Sequence, residues 1–209
     1  MIKEEFISNA KKYINYHYLY GYKGEIITSA KNREFTALYP KIWGQSNYKE
    51  KSKRWEGDRA IDCSGLICRA LGWKIGKDIG SYDMGEKWEN LKTPSAGLVA
   101  WKPGHVAICL NDKQIIEAAG IEAGVRIRSF KKSEFKKYLK VPEVDYNAGF
   151  TGWVWDDKKE GWQFLHNGEP LDTGLFTLPW SGGLDRFVFY NKYCYITDKN
   201  GVIISPKNA

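Results

Sequence analysis

Hydrophobic and polar positions change their spacing several times along the chain, and each change predicts an element. From Ala60 to Leu71 the residues pass from polar and small into an apolar, helix-competent run, which predicts a helix beginning near Cys63. After a break at Pro103-Gly104, residues 105–110 are mostly small or β-branched and read as a strand. Asn111-Asp112-Lys113 reads as a hairpin turn, and residues 114–119 as the returning strand. Residues 124–130 alternate as a further strand, and 131–139 read as a short helix or turn. Together these predict a small α+β domain. Its periodicity stops near 141–149, where turn-forming residues cluster, which gives a first domain of 1–146 and a second of 147–209.

The second part has a different pattern. Gly152-Trp153-Val154-Trp155-Asp156 and Gly161-Trp162-Gln163-Phe164 set aromatic pairs between glycine turns. A degenerate copy follows through Trp180, Phe187-Val188-Phe189-Tyr190 and Tyr193-Cys194-Tyr195, ending at Asn200-Gly201. A repeat of about 20 residues per hairpin predicts a small all-β array, in which each unit buries its face only against its neighbours.

The 209 residues, 43% of them hydrophobic, suffice for one ordinary domain and a small appendage. Lys and Arg number 32 against 25 Asp and Glu, a net charge of +7 that favours anionic surfaces. Basic pairs such as Lys11-Lys12, Lys131-Lys132 and Lys136-Lys137 are scattered rather than interleaved with aromatics, so no nucleic-acid partner is expected. No apolar run is long enough to span a bilayer, so no membrane anchor is expected, and residues 1–6 lack the apolar core of a secretion signal. The cysteines Cys63, Cys68, Cys109 and Cys194 show neither Cys-x-x-Cys pairing nor metal-ligand spacing, so no metal, cofactor or disulfide framework is expected.

Cys63 is the candidate nucleophile. A thiol at a helix N-terminus faces unpaired N–H groups and the positive end of the macrodipole, which predicts a lowered pKa. Cys68, Cys109 and Cys194 read as packing residues. Of the histidines His17, His105 and His166, only His105 falls on the strand after Pro103-Gly104, as either a base or a core residue. A three-residue loop between Cys109 and Lys113 sets Glu117 opposite His105, within reach of one imidazole nitrogen. A loop one residue longer or shorter would send the carboxylate to the other face and leave it a strand charge.

Asp62-Cys63-Ser64-Gly65, followed by Gly104-His105-Val106 and a polar residue on the next strand, resembles the NlpC-type cysteine peptidases of bacterial cell walls. Tyr18-Leu19-Tyr20-Gly21, after a helix around residues 9–14, is similar to that family's N-terminal signature. The resemblance covers about residues 1–145 and departs from the family in two places. Residues 31–58 form a longer stretch rich in Lys, Trp and Tyr, and Glu117 stands at a position that is often histidine.

The resemblance implies a papain-like fold, with N-terminal helices packed on a small antiparallel sheet and Cys63, His105 and Glu117 as nucleophile, base and orienter. It implies that Tyr18, Asp62 and Ser64 bind substrate, with Tyr18 and Asp62 shaping a pocket for a peptide amine. The implied substrate is the peptidoglycan stem peptide. An N-acetylmuramoyl-L-alanine amidase with the same residues, a non-catalytic wall-binding protein and an acyltransferase stand as alternatives. The C-terminal hairpins resemble choline- and glucan-binding repeats, so Trp153, Trp155, Trp162 and Phe164 are candidate wall-binding residues for choline, teichoic acid or wall glycan. A chain that reaches the wall without a visible signal peptide fits a phage or prophage endolysin.

Overall fold

The computed structural model describes residues 1–146 throughout and, beyond them, the backbone of strands 152–156, 161–166, 169–170, 186–190, 193–197 and 203–205. Contacts divide the chain into two units, Met1–Tyr146 and Asn147–Ala209.

The first unit is α+β. It runs α1 (Lys3–Lys11), β1 (Lys23–Ile26), α2 (Ser29–Leu38), α3 (Pro40–Trp43), α4 (Ser46–Arg54), β2 (Arg59–Ile61), α5 (Cys63–Ala70) and α6 (Ser81–Lys87). Then come β3 (Glu89–Leu91), β4 (Val99–Lys102), β5 (His105–Cys109), β6 (Gln114–Ala118), β7 (Val125–Ser129) and β8 (Lys137–Lys140). The last six strands form one sheet in the order β3-β8-β4-β5-β6-β7, antiparallel at every pairing, while β1 and β2 form a separate pair.

Both faces of the sheet are covered. Val99, Val106, Ile108, Ile116 and Leu139 join α1 and α5 in one apolar cluster. Leu98, Ala100, Ala107, Cys109, Ile115 and Tyr138 form another with Phe130 and Phe135. Strands buried on two sides carry apolar residues at consecutive positions, which is why β5 and β6 read as continuous apolar runs. The same fact corrects the expectation for 131–139. Only Lys132–Glu134 makes a 3-10 turn, and 137–140 is β8, because the adjacent Tyr138 and Leu139 each belong to a different apolar cluster.

The helix expected around 9–14 begins earlier, at Lys3, and ends at Lys11. Residues 31–58 fold largely as α2, α3 and α4, whose Phe35, Trp43 and Tyr48 pack with Leu19, Tyr22, Ile27 and Ala60 as a small core of their own.

Among the described residues, the second unit holds two three-stranded antiparallel sheets, β9 (Gly152–Asp156), β10 (Gly161–His166) and β11 (Glu169–Pro170), and β12 (Arg186–Tyr190), β13 (Tyr193–Thr197) and β14 (Ile203–Ser205). Each expected hairpin thus gains a third strand. Register pairs Trp155 with Trp162 and Trp153 with Phe164. The side chains of Trp153, Trp155, Trp162 and Phe164, and those of His166 and Cys194, lie outside the described residues.

Candidate active site

The helix carrying Cys63 starts where it does because Asp62 caps it. Asp62 has extended backbone angles, and its Oδ1 accepts the Gly65 N–H at 2.7 Å, filling one of the donors that every helix start leaves open. Cys63 is therefore the first residue of α5. Facing it is the β4–β5 hairpin, in which Lys102 pairs with His105 around a two-residue Pro103-Gly104 turn. Gly104 has φ +77°, a left-handed conformation that glycine adopts without a Cβ penalty. This turn brings the Gly104 carbonyl oxygen to 4.0 Å from Cys63 Sγ. The Val106 backbone N–H also bonds to the sulfur. The thiol thus lies against the backbone on both sides of His105.

The thiol does not have the lowered pKa expected from its place on the helix. Burial pushes it up to about 11, and the neighbouring Asp62 carboxylate adds to that, while N–H groups of Val106 and Ser64 and the Lys23 ammonium pull the other way. The residue that caps this helix is itself an anion, Asp62, and its charge opposes a second one beside it.

His105 Nε2 and Glu117 Oε2 are 2.9 Å apart. The register that brings them together differs from the direct pairing expected of the sequence. Ile108 pairs with Ile116 and Cys109 with Ile115, so the loop is Asn111-Asp112-Lys113 and Glu117 lies diagonally from His105. The slip is two residues. Because side chains alternate with a period of two, a slip of two leaves both residues on the same face. Diagonal neighbours are about 7–8 Å apart, a gap that the glutamate side chain spans. The hairpin keeps this register through Asn111, whose side-chain oxygen accepts the N–H groups of Lys113 and Gln114 at 2.8 Å each.

Glu117 is 2% exposed and has two further partners that sequence reasoning missed. From β7, Arg128 Nε donates to Oε1 at 2.6 Å, and Arg126 Nη2 to the same oxygen at 3.3 Å. Burial alone would raise the carboxyl pKa, but the hydrogen bonds to His105 and Arg128 outweigh it and hold Glu117 down at about 2. Arg128 is itself fixed by Glu134 at 2.8 Å. The available signal was the Arg-x-Arg spacing at 126–128, which puts two basic side chains on one face of the strand next to Glu117.

Asp62 and Ser64 are buried beside the cysteine and are joined by Lys23, which donates to both oxygens of Asp62 and to Ser64 Oγ. Nothing in the sequence distinguishes Lys23 among 32 basic residues. Tyr18 is half-buried on the same side. Burial raises its phenol pKa most, and the neighbouring Cys63, Tyr48 and Asp62 add to the effect. Tyr48 comes from α4, so the segment 31–58 borders this side of the site.

The remaining candidates have structural settings. His17 stacks on Trp55 at 4.0 Å and bonds to Asp58 at 3.1 Å. Cys68 and Cys109 are fully buried, and burial raises both thiol pKa values, that of Cys109 to about 12. Among the described residues, no group of three or more His, Cys, Asp or Glu is arranged to hold a metal ion, and no helix is long and apolar enough to cross a membrane.

No family model matches the chain, and no curated protein sequence matches it. Among solved structures it is similar to the peptidoglycan hydrolase RipB from Mycobacterium tuberculosis, with 18% identity, a TM-score of 0.46 and coverage of 69% of this chain and 65% of that one. It thus spans a little under two thirds of the RipB chain. It is also similar to the P60 domain of an antigen from M. avium subspecies paratuberculosis, with 20% identity, a TM-score of 0.45 and coverage of 69% and 96%. A third similar structure is the NlpC/p60 domain of the peptidoglycan hydrolase SagA, with 20% identity, a TM-score of 0.40 and coverage of 68% and 100%.

Proposed function

We propose that the chain is a cell-wall hydrolase that cleaves an amide bond in the peptidoglycan stem peptide, with Cys63 as nucleophile, His105 as base and Glu117 as orienter. The observation that carries this reading is a cysteine at the first position of a buried helix, held against the backbone on both sides of a histidine whose Nε2 is bonded to a buried carboxylate. The peptidoglycan stem as substrate comes from the resemblance of Asp62-Cys63-Ser64-Gly65 and Gly104-His105-Val106 to wall peptidases.

In this reading Glu117 fixes Nε2 of His105, which leaves Nδ1 for the thiol. The Cys63 proton passes to His105 as the sulfur attacks the amide carbonyl. The oxyanion is met by the Cys63 N–H, which as the first helix donor has no intrahelical acceptor. Collapse breaks the C–N bond, and His105 returns the proton to the leaving amine, so that a thioester and a free amine result. Water then gives its proton to His105 and attacks the thioester, which releases a carboxylic acid and regenerates the thiol. Because burial keeps the resting thiol protonated, the thiolate forms by transfer to His105 during attack. Residues 147–209, with Trp153, Trp155, Trp162 and Phe164, would hold the enzyme to choline, teichoic acid or glycan at the wall, in the manner of an endolysin.

Mass spectrometry of fragments released from purified peptidoglycan by wild type and by Cys63→Ala tests the proposal. Wild type alone should create new stem-peptide ends. Release of intact stems would replace the peptidase by an N-acetylmuramoyl-L-alanine amidase using the same residues. No release from several wall types, or equal release by Cys63→Ala, would overturn the reading.

A further inference from the structure

Lys23 lies on β1 opposite Ile61, the residue before Asp62, and its side chain runs across the start of α5. A Cβ on Gly65 would meet Lys23 Cδ at 3.0 Å, so the glycine leaves the lane along which the lysine stem passes. At the end of that lane the ammonium donates to Asp62 Oδ1 at 2.8 Å, to Asp62 Oδ2 at 2.7 Å and to Ser64 Oγ at 2.8 Å, which uses all three of its protons. Asp62 is equally occupied. Its Oδ1 also accepts the Gly65 N–H at 2.7 Å and the Ser64 hydroxyl at 3.1 Å, and its Oδ2 accepts the Gly21 N–H at 3.1 Å. The nearby carboxylate of Glu25 is taken too, by the Lys31 ammonium and the Lys23 backbone N–H.

The resemblance implies that Asp62, the buried carboxylate one residue before Cys63, helps to receive a peptide amine. In this chain the cation is built in. We propose that Lys23 is a specificity-determining residue: its ammonium fills Asp62 and closes the site to substrates with a free amine beside the scissile amide, so that the accepted class is the N-acylated stem peptide. This inference rests on the hydrolase reading of Cys63. An incoming ammonium would find Asp62 and Glu25 already occupied and would meet a like charge at Lys23, whereas an uncharged amide needs no carboxylate. Within the wall, an N-acylated stem is one still joined to its glycan strand, and a free amine marks a stem already released.

The test compares two synthetic stem peptides of one sequence, one N-acetylated and one with a free α-amine, given to the full chain and to Lys23→Met. The readout is kcat/KM from product mass spectrometry. Wild type is expected to prefer the N-acetylated peptide by about tenfold or more, because its ammonium-bearing counterpart would be left unpaired in the site. Lys23→Met should narrow that ratio by accelerating the free-amine peptide, because it frees Asp62. Equal or faster cleavage of the free-amine peptide by wild type would overturn the proposal, as would an unchanged ratio in folded Lys23→Met. The wild-type ratio decides on its own if the variant does not fold. Failure to cut either peptide or purified peptidoglycan would instead remove the hydrolase reading beneath it.

Discussion

Glu117 makes the acid stability of this fold calculable. Its side chain is 3% exposed, and hydrogen bonds and charge from His105 and Arg128 hold its pKa at about 2, against 4.5 for an ordinary glutamate. That displacement, at about 1.4 kcal/mol for each pH unit, corresponds to about 3 kcal/mol of stability. The sign follows from the folded pKa being the lower one. The contribution is complete above pH 4.5 and is lost as pH falls from there towards 2, because the unfolded chain takes up the proton first. Glu117→Gln keeps the shape and one acceptor but removes the charge. Urea unfolding of both proteins from pH 7 to pH 2 measures the difference, and the other carboxylates cancel because both chains carry them. Wild type should be more stable by about 2–3 kcal/mol at neutral pH, with the gap closing as the pH passes from 4.5 to 2. A gap that stays constant over that window would refute the claim that Glu117 is held ionised by its partners.

Two further outcomes follow from the same geometry. Arg128→Met removes the shortest donor to Glu117 while leaving His105 and Arg126 in place, and Arg128 is partly exposed. The expected cost is therefore about 1 kcal/mol at pH 7, with acid unfolding moved to higher pH, and urea titration at several pH values would show it. Alkylation by iodoacetamide, followed residue by residue by mass spectrometry, should label Cys63 before the fully buried Cys68 and Cys109, slowly at pH 7 and faster as the pH approaches 11. Rapid labelling at pH 6 would contradict a protonated resting thiol.

Local signals were legible in the sequence. The start of α5 showed in the passage from polar and small residues to an apolar run, β5 and β6 in their break and turn residues, and β7 in its alternation. What the sequence could not show was anything that depends on how separate segments meet. The Glu117 register was displaced by two because Asn111 closes the turn one residue later than expected, yet the face survived because the displacement was even. The strand at 137–140 was hidden because a sheet covered on both sides removes the alternation that would have marked it. Lys23 reaches the site from another strand and carries no local mark of the carboxylate it meets, whereas the spacing of Arg126 and Arg128 put them on one face without showing that Glu117 lay beside it.

The unexpected thiol has the same origin. A cysteine at a helix start was expected to gain acidity from the helix field, but that field acts on whatever anion is held there. Asp62 is the adjacent residue, caps the helix and takes two N–H bonds in addition to Lys23, so the Gly65 donor at the helix start is already taken by a carboxylate. The same carboxylate then repels a negative sulfur, and burial adds its own cost. Lys23 moderates that repulsion with its own charge without cancelling it. Cap, neutralising lysine and thiol thus form one electrostatic unit in which the sulfur is the neutral member at rest. Under the proposed mechanism, nucleophilicity in such a unit would come from His105, whose Nε2 is bonded to the buried Glu117 and, through it, to Arg126 and Arg128.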